Sequence, residues 1–146
     1  MNNSLYAYRI SAIEGCSQVD VLLACYDAVA EDIRLAGSAT ERGEIDLRCQ
    51  YTQHALLILG HLESWLSLLE SSILGESLTV FYAYVRRELL RLQASPHSEE
   101  FADLAMRVCE TRAAWQKKKS ILVSESVSGL EVQPSRGDDT RLYCSA

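Results

Sequence analysis

His54 and His61 stand seven residues apart, with Glu63 two positions further on. On a helix of about 3.6 residues per turn this spacing sets both imidazoles near one face. A metal ion would need such donors. Bundle-borne di-metal sites need more: Glu-x-x-His on two helices and a glutamate from each of the others. No Glu-x-x-His occurs in the chain. The histidines therefore read as polar surface residues, and no metal or cofactor is expected. The five cysteines, Cys16, Cys25, Cys49, Cys109 and Cys144, are odd in number and include no C-x-x-C. Most sit among apolar neighbours, as small core residues of a protein in a reducing cytoplasm do. G-x-S-x-G is absent and the glycines are isolated, so neither a nucleophile elbow nor a phosphate-cradling loop is present. No catalytic residue is expected. Lys117, Lys118 and Lys119 read as a solvated helix end. A net charge of −6 argues against nucleic acid, which calls for a basic stripe.

The elements that carry these residues read as helices. Two prolines and seven glycines in 146 residues leave little turn chemistry for an all-β domain. Ser17-Gln18-Val19-Asp20 reads as a capping box. Beyond it Val19, Leu22, Leu23, Tyr26, Val29, Ala30 and Ile33 recur at helical spacing. Gly37 and Thr40-Glu41-Arg42-Gly43 are expected to end this helix. A second helix is predicted from Ile45 or Asp46, with Ala55, Ile58, Leu59, Leu62, Leu66 and Leu69 on one face. Leu56, Leu57, Trp65 and Leu68 widen its apolar sector beyond one stripe, which marks a central helix or one that offers a face to a partner. Ser71, Ser72 and Gly75 punctuate the next connection. A third helix is predicted over 76–93, carrying Leu78, Phe81, Tyr82, Val85, Leu89 and Leu92. Ser95 as N-cap and Pro96 at the first helical position predict a fourth, with Phe101, Leu104, Ala105, Val108 and Trp115 inward.

The expected fold is all-α: an antiparallel four-helix bundle, since short loops join neighbours that run in opposite directions. A short N-terminal segment or helix is expected to pack on it, because Leu5, Tyr6, Tyr8, Ile10 and Ile13 are too apolar for a free arm. Residues 1–119 form the expected bundle domain. Residues 120–146, rich in Ser and Gly, are expected to be a mostly disordered tail. The N-terminus has neither the basic nor the apolar region of a signal peptide, and the apolar run 55–69 is too short and polar to cross a bilayer, so a cytoplasmic protein with no direct membrane insertion is expected.

What remains unusual is the excess of apolar and aromatic side chains. Tyrosine has an apolar body and a polar tip and suits interfaces. Tyr26 and Tyr82 fit core or interface equally by position, whereas Tyr8 favours a contact role.

The ordered set of motifs resembles the FliS family of flagellar export chaperones. Ala7-Tyr8 resembles its N-terminal tyrosine segment, and Ile13-Glu14-Gly15-Cys16-Ser17-Gln18 its V-x-T-A-S-P-like helix start. Ala24-Cys25-Tyr26-Asp27 resembles the L-Y-D/N motif, and Glu41-Arg42-Gly43-Glu44 the E-x-G-D turn. The 55–62 segment is similar to an A-x-x-I-I-x-x-L stripe. Phe81-Tyr82-Ala83-Tyr84 with Arg87, Leu89 and Leu90 resembles L-Y-D-Y-M-x-R-R-L, and Arg112-Ala113-Ala114-Trp115 resembles R-x-A-W. The resemblance covers about residues 5–119. The departures are Gln18 for proline, Ala83 for an acidic residue, Glu88 for an arginine, a glycine loop reduced to Leu74-Gly75-Glu76, and Leu92-Gln93 for A-N.

The resemblance implies a cytosolic chaperone, not an enzyme, that binds the C-terminal helical segment of flagellin in apolar grooves. It would prevent premature polymerisation and deliver flagellin to the flagellar type III export gate, a second partner. Carried over residue by residue, the partner-binding set is Tyr8, Ile10, Ile13, Leu22, Tyr26, Asp27, Ile58, Leu62, Tyr82, Tyr84, Arg87 and Trp115. A homodimer when client-free stays open. The alternative is a helical-bundle interaction module with a different protein client.

Overall fold

A computed structural model describes the backbone of residues 3–66 and 73–131, and the side chains of residues 19–66, 76–118 and 120. The described residues form four helices: α1 (Asn3–Glu41), α2 (Ile45–Leu66), α3 (Ile73–Ala94) and α4 (Ser98–Glu131). α1 packs closely on both α4 and α2, and α3 on α2; the α3–α4 seam is the loosest of the four. Among the described residues α1 and α3, and likewise α2 and α4, make no close backbone approach, so these pairs are the diagonals. The all-α four-helix bundle expected from periodicity is what forms.

Each helix sends one stripe inward. Tyr26, Val29, Ile33 and Ala36 come from α1, and Thr52, Ala55, Leu59 and Leu62 from α2. Leu78, Tyr82, Val85, Leu89 and Leu92 come from α3, and Phe101, Leu104, Ala105 and Val108 from α4. The spacing of three and four is the helix repeat itself. Enclosing one Leu or Ile side chain contributes about 1.5–3 kcal/mol, so the four stripes are the main stabilising term.

Helix boundaries differ from the sequence reading in four places. Ser17 starts no helix, because α1 is already helical from Asn3. Nothing upstream breaks it: Gln18 keeps the N–H that a proline would lack, and a lone Gly15 costs only about 1 kcal/mol. The expected N-terminal segment is thus the first part of α1. α1 also runs through Gly37 and stops later. There Gly43, at φ 70°, donates to Thr40 O at 3.1 Å and Glu44 N donates to Ala39 O at 2.9 Å. This is a Schellman cap, and its left-handed position suits glycine. α3 starts at Ile73, so Gly75 lies inside it and not in the connection. α4 starts at Ser98, because Ser95 N still donates to Arg91 O at the end of α3 and the residue before a proline avoids helix. The carbonyl of His97 accepts the first bonds of α4, from Glu100 and Phe101.

The expected bundle boundary at residue 119 meets no break either. α4 continues to Glu131, and no proline intervenes before Pro134. The remainder of the expected tail, with Leu68, Leu69, Ser71 and Ser72, lies outside the described residues.

Gly37 sets the spacing of the closest seam. A Cβ there would sit 2.9 Å from Phe101 Cβ and 3.4 Å from Ser98 O, so α4 rests directly on the α1 backbone. Gly60 on α2 faces open space. Gly37→Ala is expected to lower stability by about 1–3 kcal/mol, overpacking outweighing the gain in helix propensity. Gly60→Ala should raise it by up to about 1 kcal/mol. Urea midpoints of the two variants check the opposite signs.

Candidate functional site

Four of the residues singled out in sequence meet in one place, inside the bundle. The hydroxyls of Tyr26 and Tyr82 lie 2.5 Å apart, joining the diagonal helices α1 and α3. Their rings tilt by 43° at a centroid separation of 6.0 Å. Both are almost wholly enclosed. The indole of Trp115 on α4, which can only donate, also acts on the Tyr26 phenol and favours its ionised form. Beside it Arg112 Nε approaches Asp27 Oδ1 to 2.5 Å across the α1–α4 seam. This is an ion contact and not an aligned hydrogen bond, since the Nε proton has no acceptor in line. Arg112 also donates to Gln116 at 2.7 Å.

Burial pushes the Tyr26 phenol up from its ordinary value, and the hydrogen bonds from Tyr82 and Trp115 pull it part of the way back. Tyr82 is pushed much further, first by burial and then by the Tyr26 phenol beside it. Both are neutral in the fold at any physiological pH. Nothing here resembles a nucleophile: burial likewise pushes the Cys25 thiol up, away from the reactive thiolate.

The other expected contact residues divide by depth. Leu62 is enclosed with the tyrosines, so Tyr26, Tyr82 and Leu62 support the surface from beneath. Leu22 and Ile58 are half-buried against the core. Trp115 is half-buried, with the Lys118 ammonium 5.5 Å from its ring centroid. Asp27 is exposed but tied to Arg112. Tyr84 is half-buried, with the Arg87 and Arg107 guanidiniums 5.7 and 5.5 Å from its ring centroid. The side chains of Tyr8, Ile10 and Ile13 lie outside the described residues; their backbone belongs to α1. His54 and His61 are both exposed. His54 Nδ1 contacts the nearly enclosed Asp32 carboxylate at 2.5 Å, linking α2 to α1. Among the described residues no group of three or more His, Cys, Asp or Glu side chains could hold a metal ion.

The sequence reading missed the open feature of the surface. A groove of about 460 Å³ runs between α2 and α3, lined by Glu63, Leu66, Thr79, Ala83 and Arg86. Arg86 donates to Glu63 at 3.0 Å across it. Val80, next to the groove, is 71% exposed, and Leu57 on α2 is 60% exposed. Isolated exposed hydrophobics are common on protein surfaces. The available signal was Val80, which breaks the inward stripe of α3.

The family model of the flagellar protein FliS matches residues 1–121, the four-helix body with its tyrosine-bearing start. The chain belongs to the FliS family. As a FliS protein it is a flagellar export chaperone, and the matched range includes every motif from Tyr8 to Trp115. A search of curated proteins found no match. The FliS motif tyrosines at 26 and 82 are the pair that ties α1 to α3. No described helix is long and apolar enough to cross a membrane.

Tyr82→Phe should cost about 1–2 kcal/mol, because a buried hydroxyl loses its partner. Unfolded tyrosine ionises near pH 10 while the folded pair resists, so their stabilisation is complete below about pH 10 and declines above it. Chemical unfolding at pH 8 and 11 should show that decline, and it should be shallower in Tyr82→Phe.

Proposed function

We propose that this FliS protein works in the cytosol, holding the C-terminal helical segment of flagellin until it reaches the flagellar type III export apparatus. The groove between α2 and α3 carries this reading. It is lined by Leu66, Ala83 and Thr79, with an ion pair, Arg86 to Glu63, across it. An amphipathic helix that lays its apolar face into such a groove buries the surface it would otherwise use to polymerise. That burial offsets the entropy of ordering the segment. Tyr8, Ile10, Ile13, Leu22, Ile58, Tyr84 and Arg87 are the candidate contacts on the chaperone side, with Asp27 and Trp115 at the α1–α4 seam. Tyr26, Tyr82 and Leu62 act by keeping the helices in place.

A second reading, a different protein client on the same bundle, is favoured by one observation. Ala83, which lines the groove, stands where the family motif has an acidic residue. The groove thereby lacks an acidic side chain at position 83.

Calorimetry with flagellin encoded beside this chaperone separates the two readings. One-to-one binding is expected, and it should disappear when the flagellin C-terminal segment is removed. Ala83→Trp, which fills the groove, and Tyr8→Ala should each weaken binding by about tenfold or more while leaving helical circular dichroism unchanged. Intact binding without the C-terminal segment would refute the flagellin reading. Absence of any complex with flagellin would leave the different client.

A further inference from the structure

Arg87 on α3 and Arg107 on α4 stand against the same ring, that of Tyr84, from opposite sides of the loosest seam. Their electrostatic state differs from that of most other described arginines, Arg48 excepted. Arg34, Arg42, Arg86, Arg91 and Arg112 each have a carboxylate oxygen within 3.2 Å. Arg107 has none within 4.0 Å among the described residues, although Asp103 and Glu110 lie a turn away on α4. Arg87 reaches only Glu88, at 4.0 Å, and that carboxylate is already held by Arg91 at 2.7 Å. In a protein of net charge −6, two arginines thus meet one ring without a close carboxylate among the described residues.

A π-face can do this. It attracts a guanidinium electrostatically yet occupies none of its five N–H donors. Both residues are exposed, so donors that the ring leaves unused are open to solvent or to a ligand. Two aliphatic side chains are exposed close by in the chain: Leu90, one turn beyond Arg87, is 54% exposed, and Met106, next to Arg107, is 59% exposed. Methionine adapts to varied partner surfaces. Two unneutralised cations flanked by exposed aliphatic side chains match a carboxylate carried at the edge of an apolar helix face.

We propose that Tyr84, Arg87 and Arg107 form a carboxylate clamp, and that its occupant is an acidic side chain on an amphipathic helical segment of the client protein. This rests on the chaperone reading and adds to it a charge requirement on the client, at a face of α3 other than the α2–α3 groove. A carboxylate between two guanidiniums gains charge-assisted hydrogen bonds and relieves the repulsion between the cations.

The test uses the full chain, in wild type and as Arg87→Gln/Arg107→Gln, with calorimetry against two synthetic amphipathic peptides. One carries glutamates at the edge of its leucine face; the other has glutamine in their place. Wild type should bind the glutamate peptide about tenfold more tightly than the glutamine peptide at low salt, and the preference should fall away near 1 M salt, where screening is nearly complete. The double variant, checked for native circular dichroism and urea midpoint, should lose the preference. Tyr84→Leu, which removes the ring but leaves both arginines, should reduce it. Equal affinity of wild type for the two peptides, binding of neither, or a preference that survives in the double variant would overturn the clamp. Flagellin serves as a separate arm: its failure to bind wild type would count against the flagellin reading, while the peptide comparison still decides the clamp.

Discussion

Two phenol oxygens in contact within an apolar core set the geometry of this bundle. Helices α1 and α3 are diagonal partners without close backbone approach, and the Tyr26–Tyr82 hydrogen bond spans the space between them. An unpartnered hydroxyl at that depth costs more than an ordinary hydrogen bond returns, so the pair constrains both helices together. Their azimuths follow from it. With Tyr82 turned inward, Ala83 faces the α2–α3 groove and Tyr84 the arginines of the opposite seam. Three consecutive residues therefore serve core, groove and clamp. The apolar stripe of α3 and the hydroxyl pair favour the same rotation of the helix.

The four seams differ in kind. Between α1 and α4 the contact is backbone-close, with Gly37 beneath Phe101. Between α1 and α2 a nearly enclosed Asp32 is matched by His54. α2 and α3 diverge enough to leave a groove, spanned by the Arg86–Glu63 pair. α3 and α4 meet through long side chains, Arg91 to Glu100 and Arg107 to Tyr84. Exposed ion pairs and cation–π contacts contribute little stability each. α3 is therefore the helix held chiefly by its own inward stripe, and both open surface features lie beside it.

The helical class and the inward stripes were legible because periodicity is written in residue types: Tyr82, Val85, Leu89 and Leu92 admit no other repeat. The Gly43 cap was legible for the same kind of reason, a left-handed backbone position that favours one residue. Ends without such a requirement were not. Ser17 and Asp20 could cap a helix, but a cap acts only where the chain is not already helical, and nothing before Ser17 stops α1. The candidate site was legible in part. The order of motifs marked Tyr26, Tyr82 and Trp115, but motif order carries no depth, and these residues lie wholly or partly in the core. Arg107 belongs to none of the motifs; only the antiparallel pairing of α3 with α4 brings it to Tyr84.

The unbroken α1 has a geometric consequence at its other end. Residues 8 and 26 are eighteen positions apart, which is close to five whole turns, so their Cα atoms share an azimuth on the helix. Position 8 stands about 50 Å from the turn at Gly43, whereas α2 spans only about 33 Å from the same turn. α4, with 34 residues, is the other helix long enough to keep pace. The line along α1 that faces the tyrosine core thus continues past the height reached by the last described residue of α2. The backbone azimuth that the core reads at Tyr26 recurs at position 8, five turns further along the same helix.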